Sequence, residues 1–236
     1  MVILVFLPSW KKQYLTTMTN NKKDFRFMED KRQKSISFRK NNLNWGEMKD
    51  VNVDYTNNLV TTSDGVLIMA SWEAPMMELH AEIVCRNGGD ILEIGFGLGI
   101  SASYIQTHNI NSHTIIEPHP EIAKKAREWS QKMKNVKIIE SDWFDVIDKL
   151  EMYDGVFYDA EFDKNMYEFY DLIKPKIKKG GIYSFFNPDG DGDQNFQLIE
   201  DNVQYEQIHV DHPPYNTLEN QYMKSNIYYA AFIDHE

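Results

Sequence analysis

The segment Ile91-Leu92-Glu93-Ile94-Gly95-Phe96-Gly97-Leu98-Gly99 carries three glycines at alternate positions behind a short apolar run. Glycine adopts positive φ and has no Cβ, so a turn built this way lets a ligand approach the backbone closely. Two acids flank it: Glu93, two residues before the first glycine, and Glu117, 18 residues after the last. A carboxylate at the end of a following strand can accept both hydroxyls of a ribose. Together these residues predict a site for a nucleoside-bearing ligand. The dinucleotide spacing is G-x-G-x-x-G, whereas here the pattern is G-x-G-x-G, followed by Ile100.

Such a turn works only between a strand and a helix. Ser71-Trp72-Glu73-Ala74-Pro75 reads as a helix entrance, with the helix running over 74–86 and stopped at Asn87-Gly88-Gly89. Residues 91–94 read as the first buried strand and 101–107 as the helix after the glycines. Strands then follow at 114–117, 136–139, 155–158 and 182–186, with late candidates at 208–210 and 227–232. Between them, Pro120 opens a helix whose apolar stripe is Ile122, Ala126, Trp129 and Met133. Another helix spans 165–177, with Lys178-Lys179-Gly180-Gly181 as its C-terminal stop. This alternation predicts an α/β fold: a single Rossmann-like domain with a mostly parallel seven-stranded sheet and helices on both faces. Ligands of such sheets lie at the carboxyl ends of the strands. That selects Gly95 to Gly99, Glu117, Asp142, Asp159 and the segment 187–193 as candidate site residues.

The glycine spacing, and a helix preceding the first strand, favour S-adenosylmethionine over NAD. The motif E-x-G-x-G-x-G resembles motif I of class I methyltransferases, in which the turn holds the amino acid end of the cofactor. Ser141-Asp142-Trp143 resembles the adenine-contacting position, although Asp142 is equally an N-cap for the residues after it. The segments LIMASWEAPMMELHA, GGDILEIGFGLGISAS, HTIIEPHPEIAKKAREW, DWFDV and DGVFYD, in that order, are similar to guanidinoacetate N-methyltransferase and to its relative that methylates the delta nitrogen of protein arginine. The resemblance covers about residues 45–187. It implies cofactor contacts from Trp45, Met69, Met77, Glu93, Gly95, Phe96, Gly97, Leu98, Gly99, Glu117, Asp142, Trp143 and Asp159. It also implies that Glu73 and Asp159 hold a guanidino group.

Chemistry supports that pair. A guanidinium arrives charged and non-nucleophilic, and a carboxylate binds its planar fork bidentately. Asp159, at a strand end, is the expected proton acceptor, and Glu73 the orienting partner. Read without the resemblance, Glu73 suits a helix start and Met69, Met77 and Trp45 suit a core. Methylation at oxygen or carbon, and a non-catalytic cofactor-binding module of the same fold, remain alternatives.

Composition bounds the partners. The net charge of −11 argues against a protein that grips nucleic acid and leaves room for a cationic acceptor. Asp189, Asp191 and Asp193 follow the fifth strand and make a poor host for a carboxylate-bearing acceptor, so an arginine derivative, a polyamine-like guanidine or a peptide arginine is at least as suitable. The same segment places acids at positions 1, 3, 5 and 12 of a calcium loop. Gln194 stands where the loop needs glycine, and no metal is expected. His209-Val210-Asp211-His212 reads as a strand end, and the lone Cys85 as a buried helix residue that leaves no intrachain disulfide. Residues 1–40 hold ten Lys or Arg and three Asp or Glu and read as a basic, flexible arm before a domain over 41–236. The apolar run Val2–Leu7 is far short of the roughly 20 residues of a span, and Lys11 and Lys12 follow it rather than precede it. A cytoplasmic protein without membrane contact is expected, of undetermined oligomeric state.

Overall fold

The computed structural model describes residues 51–63, 65–160, 164–187 and 202–236. Trp45, the basic arm and the aspartates at 189–193 lie outside the described residues. Met48–Glu236 form one compact unit.

The unit opens with an antiparallel meander, β1 (Val53–Tyr55), β2 (Leu59–Thr62) and β3 (Leu67–Ala70). A 3-10 turn, Ser71–Glu73, leads into α1 (Ala74–Val84), which has proline in its first turn, where the missing N–H costs nothing. Next come β4 (Asp90–Ile94), α2 (Ile100–Ile105), β5 (Ser112–Ile116), α3 (Pro120–Ser130), β6 (Val136–Ile139), α4 (Trp143–Val146), β7 (Tyr153–Tyr158), α5 (Lys164–Ile173), β8 (Ile177–Phe185), β9 (Gln204–His209) and β10 (Ile227–Asp234). The main sheet has seven strands in the order β6-β5-β4-β7-β8-β10-β9. β6 through β8 run parallel, and β10 is antiparallel to both β8 and β9. The α/β reading and the seven strands therefore hold. Among the described residues, no helix is long and apolar enough to cross a membrane.

β4 is the pivot. Its Ile91, Leu92 and Ile94 are buried, as expected of a strand covered on both faces. Leu92 and Ile94 join a cluster with Trp143, Phe169, Tyr170 and Tyr183. Ile91 points the other way, to Met76, Ile83 and Phe157. The chain leaves β4 for β5 on one side and returns to β7 on the other. The crevice at this reversal lies over the carboxyl ends of β4 and β7.

Three sequence expectations differ from the structure. Lys178-Lys179-Gly180-Gly181 does not end a helix but lies within β8. Pro175 converts the end of α5 to a 3-10 turn over Lys174–Lys176, and Lys178 then pairs with Asp90 and Asp154 at 2.8 and 2.7 Å. α3 stops at Ser130, so Met133 is not part of its stripe. The meander at 53–70 had no counterpart in the periodicity reading.

Candidate active site

The glycine turn is held on three sides. Gly95 donates to Ile116 O at 2.9 Å, and a Cβ there would strike the carbonyl of Asp159; its φ is +94°. Only glycine lets β7 close against the turn at this height. Met69, on β3, lies beneath the turn: Leu98 N–H points at its sulfur at 3.2 Å, and a Cβ on Gly97 would come within 2.7 Å of that sulfur. Tyr55 reaches from β1 to the Gly97 carbonyl at 3.5 Å. The meander therefore backs the glycine turn, and Met69 and Tyr55 are its contact residues.

Glu117 follows β5, and its carboxylate clamps the turn from the third side. One oxygen accepts from Phe96 N at 3.0 Å and the other from His119 N at 2.8 Å. Each oxygen keeps a second lone pair. Burial raises its pKa to about 7, against the pull of those two N–H groups. Glu93 is fully buried behind the turn; it accepts from Ser101 Oγ and lies 2.9 Å from His113 Nε2, without good hydrogen-bond alignment between the two.

Across the crevice lie two more carboxyls. Glu73 ends the 3-10 turn, buried, with one oxygen accepting from Ala70 N at 3.1 Å. Its pKa is pushed up to about 8, first by burial and then by neighbouring Asp159. Asp159 follows β7 directly, its N–H bonded to Ile94 O at 2.9 Å. Burial raises it to about 7, with Glu93 and Glu117 adding to the rise. The structure thus brings Met69, Gly95 to Gly99, Glu93, Glu117, Asp159 and Glu73 to one crevice. Met77 is buried within α1 and packs in the core cluster with Met69. Asp142 caps α4 by accepting from Phe144 N at 2.8 Å. Trp143 is buried against Phe144 and Phe169.

Two features of the site were not read from the sequence. The first is the loop over 211–226, which covers Glu73. Buried Asn220 clips it: its amide nitrogen donates to Pro213 O and Met223 O at 2.7 and 2.9 Å, and its oxygen accepts from Met223 N at 2.9 Å. Gln221 ties the loop to the meander at Leu67 and Gly65, and Trp72 Nε1 donates to Glu219 O. His212 is held by this loop, with its ring nitrogens near Pro213 O and Ser225 O. The described residues contain no metal-binding cluster.

The second is a buried polar chain under the crevice. Ser184 Oγ donates to Ala231 O at 2.8 Å, so it accepts from His80 Nδ1 at 2.7 Å. His80 Nε2 is then the bare nitrogen and accepts from Tyr228 OH at 2.8 Å. Burial pushes His80 down to about 3, which keeps it neutral. The Tyr228 oxygen accepts from Asn187 N at 3.0 Å, fixing the end of β8 at the site. Periodicity could not single out His80, because a helix-face histidine looks the same in any core.

A parallel sheet with this order, a glycine turn at its reversal and an acid after the neighbouring strand define a Rossmann-like domain of the S-adenosylmethionine-dependent methyltransferase class. Solved structures agree on the fold. NodS, an N-methyltransferase from Bradyrhizobium japonicum solved with S-adenosyl-L-homocysteine, superposes with a TM-score of 0.52 at 14% identity, over 70% of this chain and 87% of that one. Spermidine synthase from Thermotoga maritima gives 0.58 at 13% identity, over 75% and 65%. The particular family follows from sequence. The chain belongs to the guanidinoacetate N-methyltransferase family, whose model matches residues 44–210. Among curated relatives, protein arginine N-methyltransferase 2 of Saccharomyces cerevisiae is 32% identical over 204 residues, covering 74% of this chain and 49% of the yeast protein. Its Candida glabrata counterpart is 37% identical over 142 residues, covering 55% and 34%. The chain spans a third to a half of the length of these relatives.

Proposed function

We propose that the chain transfers a methyl group from S-adenosylmethionine to a guanidino nitrogen, with an arginine side chain as the acceptor class. The observation that carries this reading is the neighbouring pair of buried Glu73 and half-buried Asp159 beside the glycine turn, each with a raised pKa. Two carboxyls in so dry a place call for a cation, and a planar one that donates to both satisfies them best. The relatives named for arginine methylation support the same acceptor. So do the aspartates at 189, 191 and 193, which disfavour an acceptor with its own carboxylate.

The residues present fit the cofactor. Glu117 has a free lone pair on each oxygen for ribose hydroxyls, and the glycine turn, packed against Met69 and Phe96, offers backbone for the amino acid end. Met69, Phe96 and Leu98 line that turn, and Asp142 and Trp143 stand after β6 for the adenine. When bound, the cofactor supplies an electrophilic methyl group. Glu73, locked by Ala70, orients the guanidinium and balances its charge. Asp159 takes the proton that the acceptor nitrogen must lose, a task suited by a pKa near neutrality. Tyr222, from the loop over 211–226, helps to shield Glu73 from water. Holding the acceptor nitrogen near its target contributes several kcal/mol, of the roughly 7–11 available from such positioning.

The test is incubation of the full chain with labelled cofactor and a panel of arginine peptides, small guanidines and amines, read by mass spectrometry. Label on a guanidino nitrogen is expected. Asp159→Asn should lower turnover by about 100-fold or more, in line with loss of a general base, with S-adenosylhomocysteine affinity nearly unchanged. Label on amines alone, or full turnover in Asp159→Asn, would overturn the reading.

A further inference from the structure

One hydroxyl in the crevice is left incompletely bonded in the free protein. The Tyr222 hydroxyl is buried beside the Glu73 carboxyl; its donor contact there falls short of good hydrogen-bond geometry, and its oxygen accepts nothing. It faces Glu73 and Asp159, and burial together with their charges drives its pKa well up, so it stays protonated. An unsatisfied buried hydroxyl is destabilising. It is tolerated where a ligand completes it. The ring beside it is walled. Trp72 lies 5.6 Å away, centroid to centroid, and Phe186 lies 5.5 Å away, edge to face. Tyr228 stacks behind Phe186 at 5.9 Å. The Asn220 clip fixes the backbone that presents Tyr222, since its side-chain oxygen also accepts from Tyr222 N at 3.3 Å.

We propose that Tyr222 contacts the methyl acceptor directly: its oxygen accepts an N–H of the bound guanidinium while its own hydrogen turns to Glu73, and its ring, with Trp72 and Phe186, forms the wall against which the flat cation lies. A hydroxyl is the one side-chain group here that can accept from the cation and donate to the carboxylate at once. Aromatic faces attract a guanidinium through both charge and planarity. Tyr222 thus selects a guanidino group over a carboxyl or an uncharged amide. This rests on the guanidino reading above.

The test is calorimetry of N-acetylarginine amide binding to the S-adenosylhomocysteine complex, comparing the full chain with Tyr222→Phe and Tyr222→Leu. Tyr222→Phe should raise the acceptor Kd about tenfold, which is about 1.4 kcal/mol. It should leave S-adenosylhomocysteine affinity within about twofold and lower the melting temperature by no more than about 3 °C, because the free protein loses only the poorly aligned contact with Glu73. Tyr222→Leu, which also removes the ring, should weaken acceptor binding further. In turnover, KM should rise with Kd while kcat changes by less than about threefold. An unchanged acceptor Kd in Tyr222→Phe overturns the proposal, as does a parallel fall in melting temperature and cofactor-product affinity, the mark of a structural role. Wild-type binding without methyl transfer overturns the transfer reading alone and leaves Tyr222 to be judged by Kd. Absence of wild-type binding overturns both.

Discussion

Raising the pH from 7 to 9 should tighten the binding of a guanidinium acceptor about 20-fold. In the free protein Glu73 titrates at about 8 and Asp159 at about 7. At pH 7 these values leave Glu73 about nine-tenths protonated and Asp159 about half. The acceptor is cationic throughout, and it gains full charge-assisted bonds only from ionised carboxylates. Ionising both groups on binding at pH 7 therefore costs about 2 kcal/mol, the larger part at Glu73, and releases more than one proton. The sign follows from the direction of the shifts. Both pKa values are raised without the cation and fall when it binds, so binding expels protons and strengthens as pH rises, then levels off above about pH 9. Calorimetry of N-acetylarginine amide on the S-adenosylhomocysteine complex, in buffers of different ionisation enthalpy, reads the proton count directly. Glu73→Gln should remove about 0.9 of the released protons at pH 7 and leave the Asp159 share. An affinity equal at pH 7 and 9, or proton uptake on binding, would falsify the account of the pair as a partly protonated cation trap.

Two further variants probe the frame. Glu117→Ala should weaken S-adenosylhomocysteine binding by about 10- to 100-fold, since hydrogen bonds to a charged group are worth roughly 1.5–3 kcal/mol. Calorimetry on the variant would show this, and an affinity within about twofold of wild type would remove Glu117 from the cofactor site. Asn220→Ala strands the carbonyls of Pro213 and Met223 and should cost about 3 kcal/mol of stability. Denaturant melts check the stability, and the acceptor KM should rise while S-adenosylhomocysteine affinity holds.

Much of the sheet was legible because its central strands carry dense local signals. Ile91 to Ile94 is apolar but for Glu93 and runs into glycines, a pattern that suits a strand covered on both faces and a turn after it. The acids at strand ends could be marked as site candidates because parallel sheets place their ligands there. The short strands β1 to β3 left no comparable trace: their burial is mixed, and Val53 and Val60 gain meaning only by packing toward Phe96 and Ile115. The run Lys178 to Gly181 satisfied the rule for a helix stop, but Pro175 ended the helix first, and the run became an irregular stretch of β8 between Ile177, paired with Tyr153, and Ile182, paired with Gly155. Tyr222 and Asn220 sit in a stretch without period, and nothing in their neighbours distinguishes them.

By itself, the sequence determined the α/β alternation, the glycine turn after β4, and the identity of the acids that could serve a nucleoside and a cation. These depend on residue type and on spacing along the chain, which local steric rules translate into strand, turn and helix. Only the tertiary structure decided how those acids behave. Glu73 and Asp159 are 86 residues apart in sequence, and each would titrate as an ordinary carboxyl in solution. Packing α1 against the sheet beside β7 and laying the 211–226 loop over them removes the water that would have kept both charged. Desolvation is a property of the assembled crevice, and no window of sequence contains it.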